Sequence, residues 1–259
     1  SVRYTPYTNY LLFNIISNNI IGNINIPKQV SVNKPIVAKF KKFYLKASTQ
    51  SSPNKQQQIK LNNYYNVNFN LADFRYNQIK FGALSGKMRT TNSNGLIINP
   101  LNAQSANYKL ISQIAWNNIN NMTRFKGQLT STNTAKFLAG LGLSGQVYSK
   151  NANAKFDLQW RGFPTDFKLS NLNGNYNFNV QNGKISGLSR STNAKLGLGT
   201  IITSLNIESL PQRITNGFRD KGKGGLNFKK MEGNFTIKNG NLLTQRAYLE
   251  STVAYISLK

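Results

Sequence analysis

Apolar and polar residues alternate over short stretches along most of this chain. In the clearest stretch, Leu172–Val180, even positions are apolar or glycine and odd positions are asparagine. A period of two predicts a β-strand with one buried and one solvated face. Asn182–Gly183 follows and predicts a turn. The unit apolar–x–Gly–x–apolar recurs, as at Leu84–Met88 and Met231–Phe235, with glycine on the apolar face, where a strand bends or a ligand approaches closely.

Similar alternation predicts strands on both sides of a polar stretch. Ile36–Lys46 is expected to be a strand whose two apolar halves are out of phase, and a β-bulge near Lys41–Lys42 would reconcile them. Residues 47–60 are polar and low in complexity, which predicts a loop or linker between leading strands at 1–46 and a larger unit at 61–259. Beyond it, strands separated by short turns of Asn, Gly and Ser indicate an antiparallel meander.

Two stretches have helical spacing instead. Thr134–Leu141 places apolar residues at helical intervals, with Asn133 as the N-cap and Gly142 as the stop. Thr192–Leu210 is expected to form an amphipathic helix that Pro211 ends. Such a helix is more often a lid packed on a sheet than a membrane or partner helix.

The composition is strongly basic. The 259 residues include 33 lysines and arginines but only 7 aspartates and glutamates, a formal net charge of +26. A field of this sign attracts polyanions such as nucleic acid, anionic lipid headgroups or lipopolysaccharide phosphates. Because the cations are scattered rather than clustered, a solvated basic face without a dedicated partner explains them equally well.

The residue types leave little room for catalysis. The chain has no cysteine and no histidine, which excludes disulfides, thiolate nucleophiles, histidine-based triads and the usual zinc sites. Asp157 and Asp166 are the nearest candidates for an acid–base pair, but each is more typical of a turn or an ion pair. We therefore expect no enzyme activity, no catalytic or metal site and no cofactor.

Several rare sequence elements follow one another in a defined order over about residues 125–259. They are Phe156–Pro164, which contains Trp-x-Gly-x-Pro, then Asp166–Phe167, Leu172–Gly174, Ser209–Arg213, Phe218–Asp220, Gly225–Phe228 and Met231–Phe235. Their order and spacing resemble the C-terminal region of the AsmA-like family, YhdP type.

This resemblance implies an envelope protein of Gram-negative bacteria, anchored to the inner membrane through a segment outside this chain. It implies a long curved β-sheet in the periplasm whose concave face is apolar and carries phospholipid between the inner and outer membranes. The implied partners are phospholipid, the outer membrane or its inner leaflet, and envelope proteins, with no specific nucleic acid.

Together, pattern and resemblance predict a mostly β fold, in which a curved antiparallel sheet with one or two short helices forms an open apolar groove. Glycines on its inner face would widen the groove locally. The expected lipid-binding residues share the apolar phase of their strands. They are Val67, Phe69, Leu71, Leu172, Tyr176, Phe178, Val180, Phe235 and Ile237.

Other architectures satisfy the same alternation. The residues alone favour a dry core between two sheets, and only the resemblance favours the groove. A polyanion-binding β-domain with a filled core would bind nucleic acid in a salt-sensitive way. A transmembrane β-barrel shares the alternation, but the helix at 192–210 and the uneven strand lengths disfavour it.

Overall fold

The computed structural model describes residues 1–46, 65–77, 79–91, 95–141, 143, 146–186, 225–251 and 255–258. This part of the chain is mostly β-structure, with one α-helix and two short 3₁₀ turns. No helix within it is long and apolar enough to cross a bilayer. The helix expected at 192–210 and the linker expected at 47–60 lie outside the described residues.

Strands account for almost all of the regular structure. The strands are β1 Val2–Pro6, β2 Tyr10–Ile16, β3 Ile20–Pro27, β4 Ile36–Leu45, β5 Asn66–Tyr76, β6 Ile79–Thr90, β7 Leu96–Gln104, β8 Tyr108–Asn117, β9 Met122–Ser131, β10 Val147–Tyr148, β11 Asn151–Arg161, β12 Asn173–Ser186, β13 Gly225–Lys238, β14 Asn241–Ser251 and β15 Tyr255–Leu258. The helix α1 spans Thr134–Gly140, and 3₁₀ turns occur at Pro164–Asp166 and Leu169–Asn171.

Hydrogen bonds join the strands in the order β1 to β9 and then β11 to β15, with β10 attached to β12. The described strands leave β1 and β15 unpaired with each other, so the sheet is open. The predicted antiparallel pairing is confirmed for β1 to β4, for β5 to β7 and for β11 to β15, whereas β4 and β5 run parallel. Residues 46–65 between these two strands are long enough for the crossover that parallel neighbours require.

The chain divides into two compact units. The first unit comprises Ser1–Ser105, Ile111–Arg124 and Gly162–Thr165, and the second comprises Ala106–Leu110, Phe125–Arg161 and Asp166–Lys259. The division predicted at residues 47–60 stays a prediction.

The register of the first unit sorts its side chains into rows across the strands. One apolar row runs through Tyr4, Phe13, Ile24, Ala38, Phe69, Gly86 and Leu101. The adjacent row is polar and runs through Arg3, Asn14, Asn23, Lys39, Asn70, Ser85 and Asn102. Because successive residues of a strand point to opposite faces, the two rows lie on opposite sides of the sheet.

Glycines on the apolar face are covered by aromatic rings rather than by open space. In four cross-strand pairs, a ring atom of the phenylalanine lies less than 3.0 Å from where a β-carbon of the glycine would stand. The pairs are Gly22–Phe40, Gly86–Phe69, Gly183–Phe228 and Gly233–Phe178. The expectation that these glycines widen a groove is therefore wrong at these positions, because a neighbouring ring fills the space.

The structure confirms one local prediction, the bulge in β4, and contradicts another, the turn at Asn182–Gly183. The bulge in β4 is confirmed, since Ile21 faces Lys42 and Gly22 faces Phe40, which leaves Lys41 as the extra residue. The turn expected at Asn182–Gly183 is wrong, because β12 continues through it. Asn182 has a left-handed backbone there (φ 49°), where β12 leaves β11 and pairs with β10.

Candidate apolar ligand site

Four apolar rows cross the sheet of the second unit. Each row contains one residue from β11, its partner on β12 and the next partner on β13. The rows are Leu158/Gly174/Ile237, Phe156/Tyr176/Phe235, Ala154/Phe178/Gly233 and Ala152/Val180/Met231. The asparagines of β12 occupy the intervening rows on the opposite face, so the nine-residue alternation at Leu172–Val180 produces two chemically distinct faces.

Aromatic rings form the middle of this apolar face. Phe125 contacts Phe156 with a centroid distance of 4.7 Å. Tyr176 stacks on Phe235 at 5.1 Å, and Phe235 stacks in turn on Phe178 at 5.9 Å. Flat, rigid rings on neighbouring strands leave gaps at their edges that short side chains do not fill, and two cavities lie at these edges.

Cavity A has a volume of about 300 Å³. Its lining is Phe125, Leu143, Phe156, Leu158, Leu169, Leu172, Tyr176, Ile237, Gly240 and Leu242. Among these residues, Tyr176 alone carries a polar group on its side chain. Burial raises the pKa of the Tyr176 phenol, so this hydroxyl stays protonated.

One end of cavity A is formed by the β13–β14 hairpin and a 3₁₀ turn. The hairpin turns at Asn239–Gly240, a dipeptide typical of tight hairpin turns, and both residues have positive φ. Gly240 donates its N–H to the carbonyl of Leu172, and the Asn239 N–H donates to Oδ1 of Asn173. A β-carbon on Gly240 would stand 2.6 Å from the Leu169 carbonyl oxygen, so only glycine permits this contact.

Cavity B has a volume of about 160 Å³ and lies between the sheet and α1. Its apolar lining comes from the strands and the helix. It includes Leu129, Phe137, Leu138, Val147, Ala152, Ala154, Tyr176, Phe178, Val180 and Met231. The predicted helix is confirmed, and Oδ1 of Asn133 caps it by accepting the Lys136 N–H at 3.1 Å. Tyr176 lines both cavities.

Beyond cavity B the second unit has a filled core. The fully buried side chains there include Ile185, Phe228 and Leu249, with Met231 beside them. Side chains therefore fill this end of the unit, while the end near Tyr176 retains empty volume.

The structure brings together most of the predicted lipid-binding residues of the second unit. Leu172, Tyr176 and Ile237 line cavity A, and Tyr176, Phe178 and Val180 line cavity B. Phe235 lines neither, because its ring is fully buried beneath Tyr176 and Phe178.

The predicted residues of β5 belong to the first unit. Val67 pairs with Ile36 and Met88, and Leu71 is buried beside Phe40. The ring of Phe69 covers Gly86. A ligand-binding role for all nine residues stays a prediction.

Several residues that line the cavities are absent from the site predicted from the sequence, because they lie on neighbouring strands and on α1. Phe125, Phe156, Leu158 and Leu242 line cavity A, and Leu129, Phe137 and Leu138 line cavity B. Their alternation or helical spacing is visible in the sequence. Which strands and helix face the same volume is not.

Two carboxylates of the described residues, Glu232 and Asp73, hold polar networks on strands. Glu232 accepts hydrogen bonds from Asn179 and from the Tyr248 hydroxyl, and Lys230 Nζ lies 2.6 Å from it. Desolvation raises the pKa of Glu232, but these hydrogen bonds outweigh it and hold the pKa below its ordinary value. Asp73 has a similar place in the first unit, beside Tyr44 and Arg75.

Comparison with known proteins adds independent information. The family model described as YhdP protein matches residues 1–259. The chain is also similar to the "Intermembrane phospholipid transporter YhdP" of Escherichia coli (strain K12), with 23% identity over 140 residues. That match covers 54% of this chain and 11% of the relative, so the chain spans a small part of that protein's length. No solved structure matches the chain.

Proposed function

Because the chain belongs to the YhdP family, we propose that its second unit binds hydrocarbon tails of phospholipids in cavities A and B. The chain then acts as part of a periplasmic carrier that moves phospholipid between the inner and outer membranes. The relative's name as an intermembrane phospholipid transporter supports this proposal.

The observation that carries the proposal is the pair of apolar cavities that meet at Tyr176. Apolar surface around empty volume is unfavourable in water, and each methylene buried there contributes about 0.8 kcal/mol. Cavity A lies at the lower end of ligand-pocket volumes, which run from about 300 to 1,000 Å³. Its size fits a segment of one acyl chain and leaves the headgroup outside.

The apolar face of the first unit extends the same proposal. Val67, Phe69 and Leu71 belong to the continuous apolar rows of that unit, which offer hydrocarbon contacts without a polar competitor. Transport along such a face needs binding and release but no bond chemistry, so we propose a carrier rather than an enzyme. The proposal also includes anchoring to the inner membrane through a segment outside this chain. It includes delivery to the outer membrane and contacts with envelope proteins as well.

Neighbouring leucines of β14 provide a matched test. Leu242 lines cavity A, whereas the next residue, Leu243, is exposed and pairs with Thr236 in a polar row. Leu242→Trp places an indole in cavity A. If the indole displaces two methylenes of a bound tail, phospholipid binding should weaken about tenfold. Leu243→Trp adds the same group on the opposite face and should change binding little.

Native mass spectrometry of the purified chain with added phospholipid measures both variants against the wild type. Circular dichroism establishes that each variant is folded. Loss of the lipid-bound species in Leu242→Trp alone supports the proposal. Equal lipid occupancy in wild type and Leu242→Trp, or a wild type that takes up no phospholipid, would overturn it.

A further inference from the structure

The polar face of the first unit carries a row of side chains that the proposed function does not use. Arg3 pairs across the strands with Asn14, which pairs with Asn23, and the row continues to Lys39 and Asn70. These residues come from five different strands. Cationic groups and amides therefore converge on one surface from sequence positions far apart.

A depression of about 680 Å³ lies over this row. Its polar lining consists of Ser1, Arg3, Asn14, Asn23, Lys39, Lys41 and Asn70. Lys41, the extra residue of the bulge in β4, lines the depression together with Lys39, two residues before it. The rest of its lining is apolar and consists of Ile15, Ile16, Ile21, Gly22 and Phe40.

No carboxylate lines this depression among the described residues. Two cations elsewhere in the described chain sit beside acids, Arg75 with Asp73 at 2.8 Å and Lys230 with Glu232 at 2.6 Å. Arg3, Lys39 and Lys41 take part in neither ion pair. Three cations flanked by amide N–H donors, without an acid, match the needs of an anion with several acceptor oxygens.

We propose that this depression, the phosphate site, binds a phosphate ester. A phosphate group has enough oxygens to accept hydrogen bonds from the Arg3 guanidinium, a lysine ammonium and an asparagine amide together. The phosphate ester belongs either to a phospholipid headgroup at a membrane surface or to a soluble molecule. The site lies in the other unit from cavities A and B, so it adds a second binding function to the chain.

The test compares two variants with the same loss of charge. Lys39→Gln/Lys41→Gln removes two cations of the phosphate site, and Lys109→Gln/Lys155→Gln removes two exposed lysines of the second unit. The probes are glycerol phosphate, measured by calorimetry, and vesicles of phosphatidylcholine with or without phosphatidylglycerol, measured by flotation. A single-stranded oligonucleotide serves as the polyanion comparison.

The site variant should weaken phosphate binding about tenfold more than the control variant does, since each lost contact is charge-assisted. If the site variant binds glycerol phosphate more weakly, the ligand is a soluble ester. If its binding is weakened only to phosphatidylglycerol vesicles, the ligand is a lipid headgroup. Equal losses in the two variants, an effect confined to the oligonucleotide, or no phosphate binding by the wild type would overturn the proposal. Lipid-tail occupancy in the site variant should equal that of the wild type, which separates this test from that of the proposed function.

Discussion

The ring of Phe178 lies over Gly233, its partner on the neighbouring strand, so that a β-carbon on Gly233 would stand 2.9 Å from Phe178 Cε1. Carbon atoms in contact prefer about 3.5–4.0 Å. The same β-carbon would also stand 2.8 Å from Cζ of the fully buried Phe235. Gly233 thus determines how closely the aromatic rings approach the sheet and how much of cavity B stays open.

Gly233→Ala should destabilise the chain by about 1–3 kcal/mol, because the rings have to move off the sheet. Phe178 borders cavity B and has room to move into it, so ligand volume should fall as well. Urea unfolding measures the first effect and native mass spectrometry with phospholipid the second. Gly140→Ala is the control, since nothing lies within 4 Å of its added β-carbon. Similar stabilities for the two variants would contradict the packing described above.

Tyr176→Phe removes the one side-chain hydroxyl that lines cavity A. The aromatic packing on Phe235 should survive, so stability should change little. Ligands with a carbonyl or carboxyl group should bind about fivefold more weakly, the equivalent of one neutral hydrogen bond of about 1 kcal/mol. Binding of a plain alkane should stay the same. Displacement of a fluorescent fatty acid measures both ligand classes, and equal losses for both would show that Tyr176 acts through packing alone.

Asn133→Ala should cost about 1 kcal/mol of stability, because the Lys136 N–H loses its acceptor at the start of α1. Phe137 and Leu138 of this helix line cavity B, so lipid binding should weaken together with the helix. Asn133→Asp is the matched control. It retains an acceptor oxygen and places a negative charge at the helix N-terminus, which is favourable. Thermal unfolding of the three proteins should rank Asn133→Ala lowest.

Glu232→Gln should remove part of the pH dependence of stability. The pKa of Glu232 is lower in the folded chain than its ordinary value. Such a carboxyl stabilises the fold at pH values above its unfolded pKa, which is about 4.3 for glutamate. This stability is lost as the pH falls. The melting temperature of wild type should therefore exceed that of the variant at pH 7, and the difference should shrink toward pH 3. Tyr248→Phe removes one of the hydrogen bonds to this carboxylate and should show a smaller effect of the same sign. A difference that stays constant with pH would contradict the lowered pKa.

Features that depend on neighbours in the chain could be predicted closely. The alternation in β12 defines its two faces, Asn133 and the residues after it define the cap of α1, and Asn239–Gly240 defines a hairpin. Each is a local property, since side-chain direction, N-cap bonding and left-handed turns involve residues only a few positions apart. The order of rare elements over the last half of the chain likewise led to the family that the comparison shows.

Only the tertiary structure decided what lies opposite each residue. The same Asn-Gly dipeptide is a turn at 239–240 but part of a continuous strand at 182–183, where β12 exchanges one partner for another. Phenylalanine rings from adjacent strands fill the glycine positions, and Phe235 lies beneath the cavities rather than in their lining. Alternation determines which face a residue occupies. Whether that face closes into a core or leaves a cavity depends on the volumes of side chains brought together from distant positions.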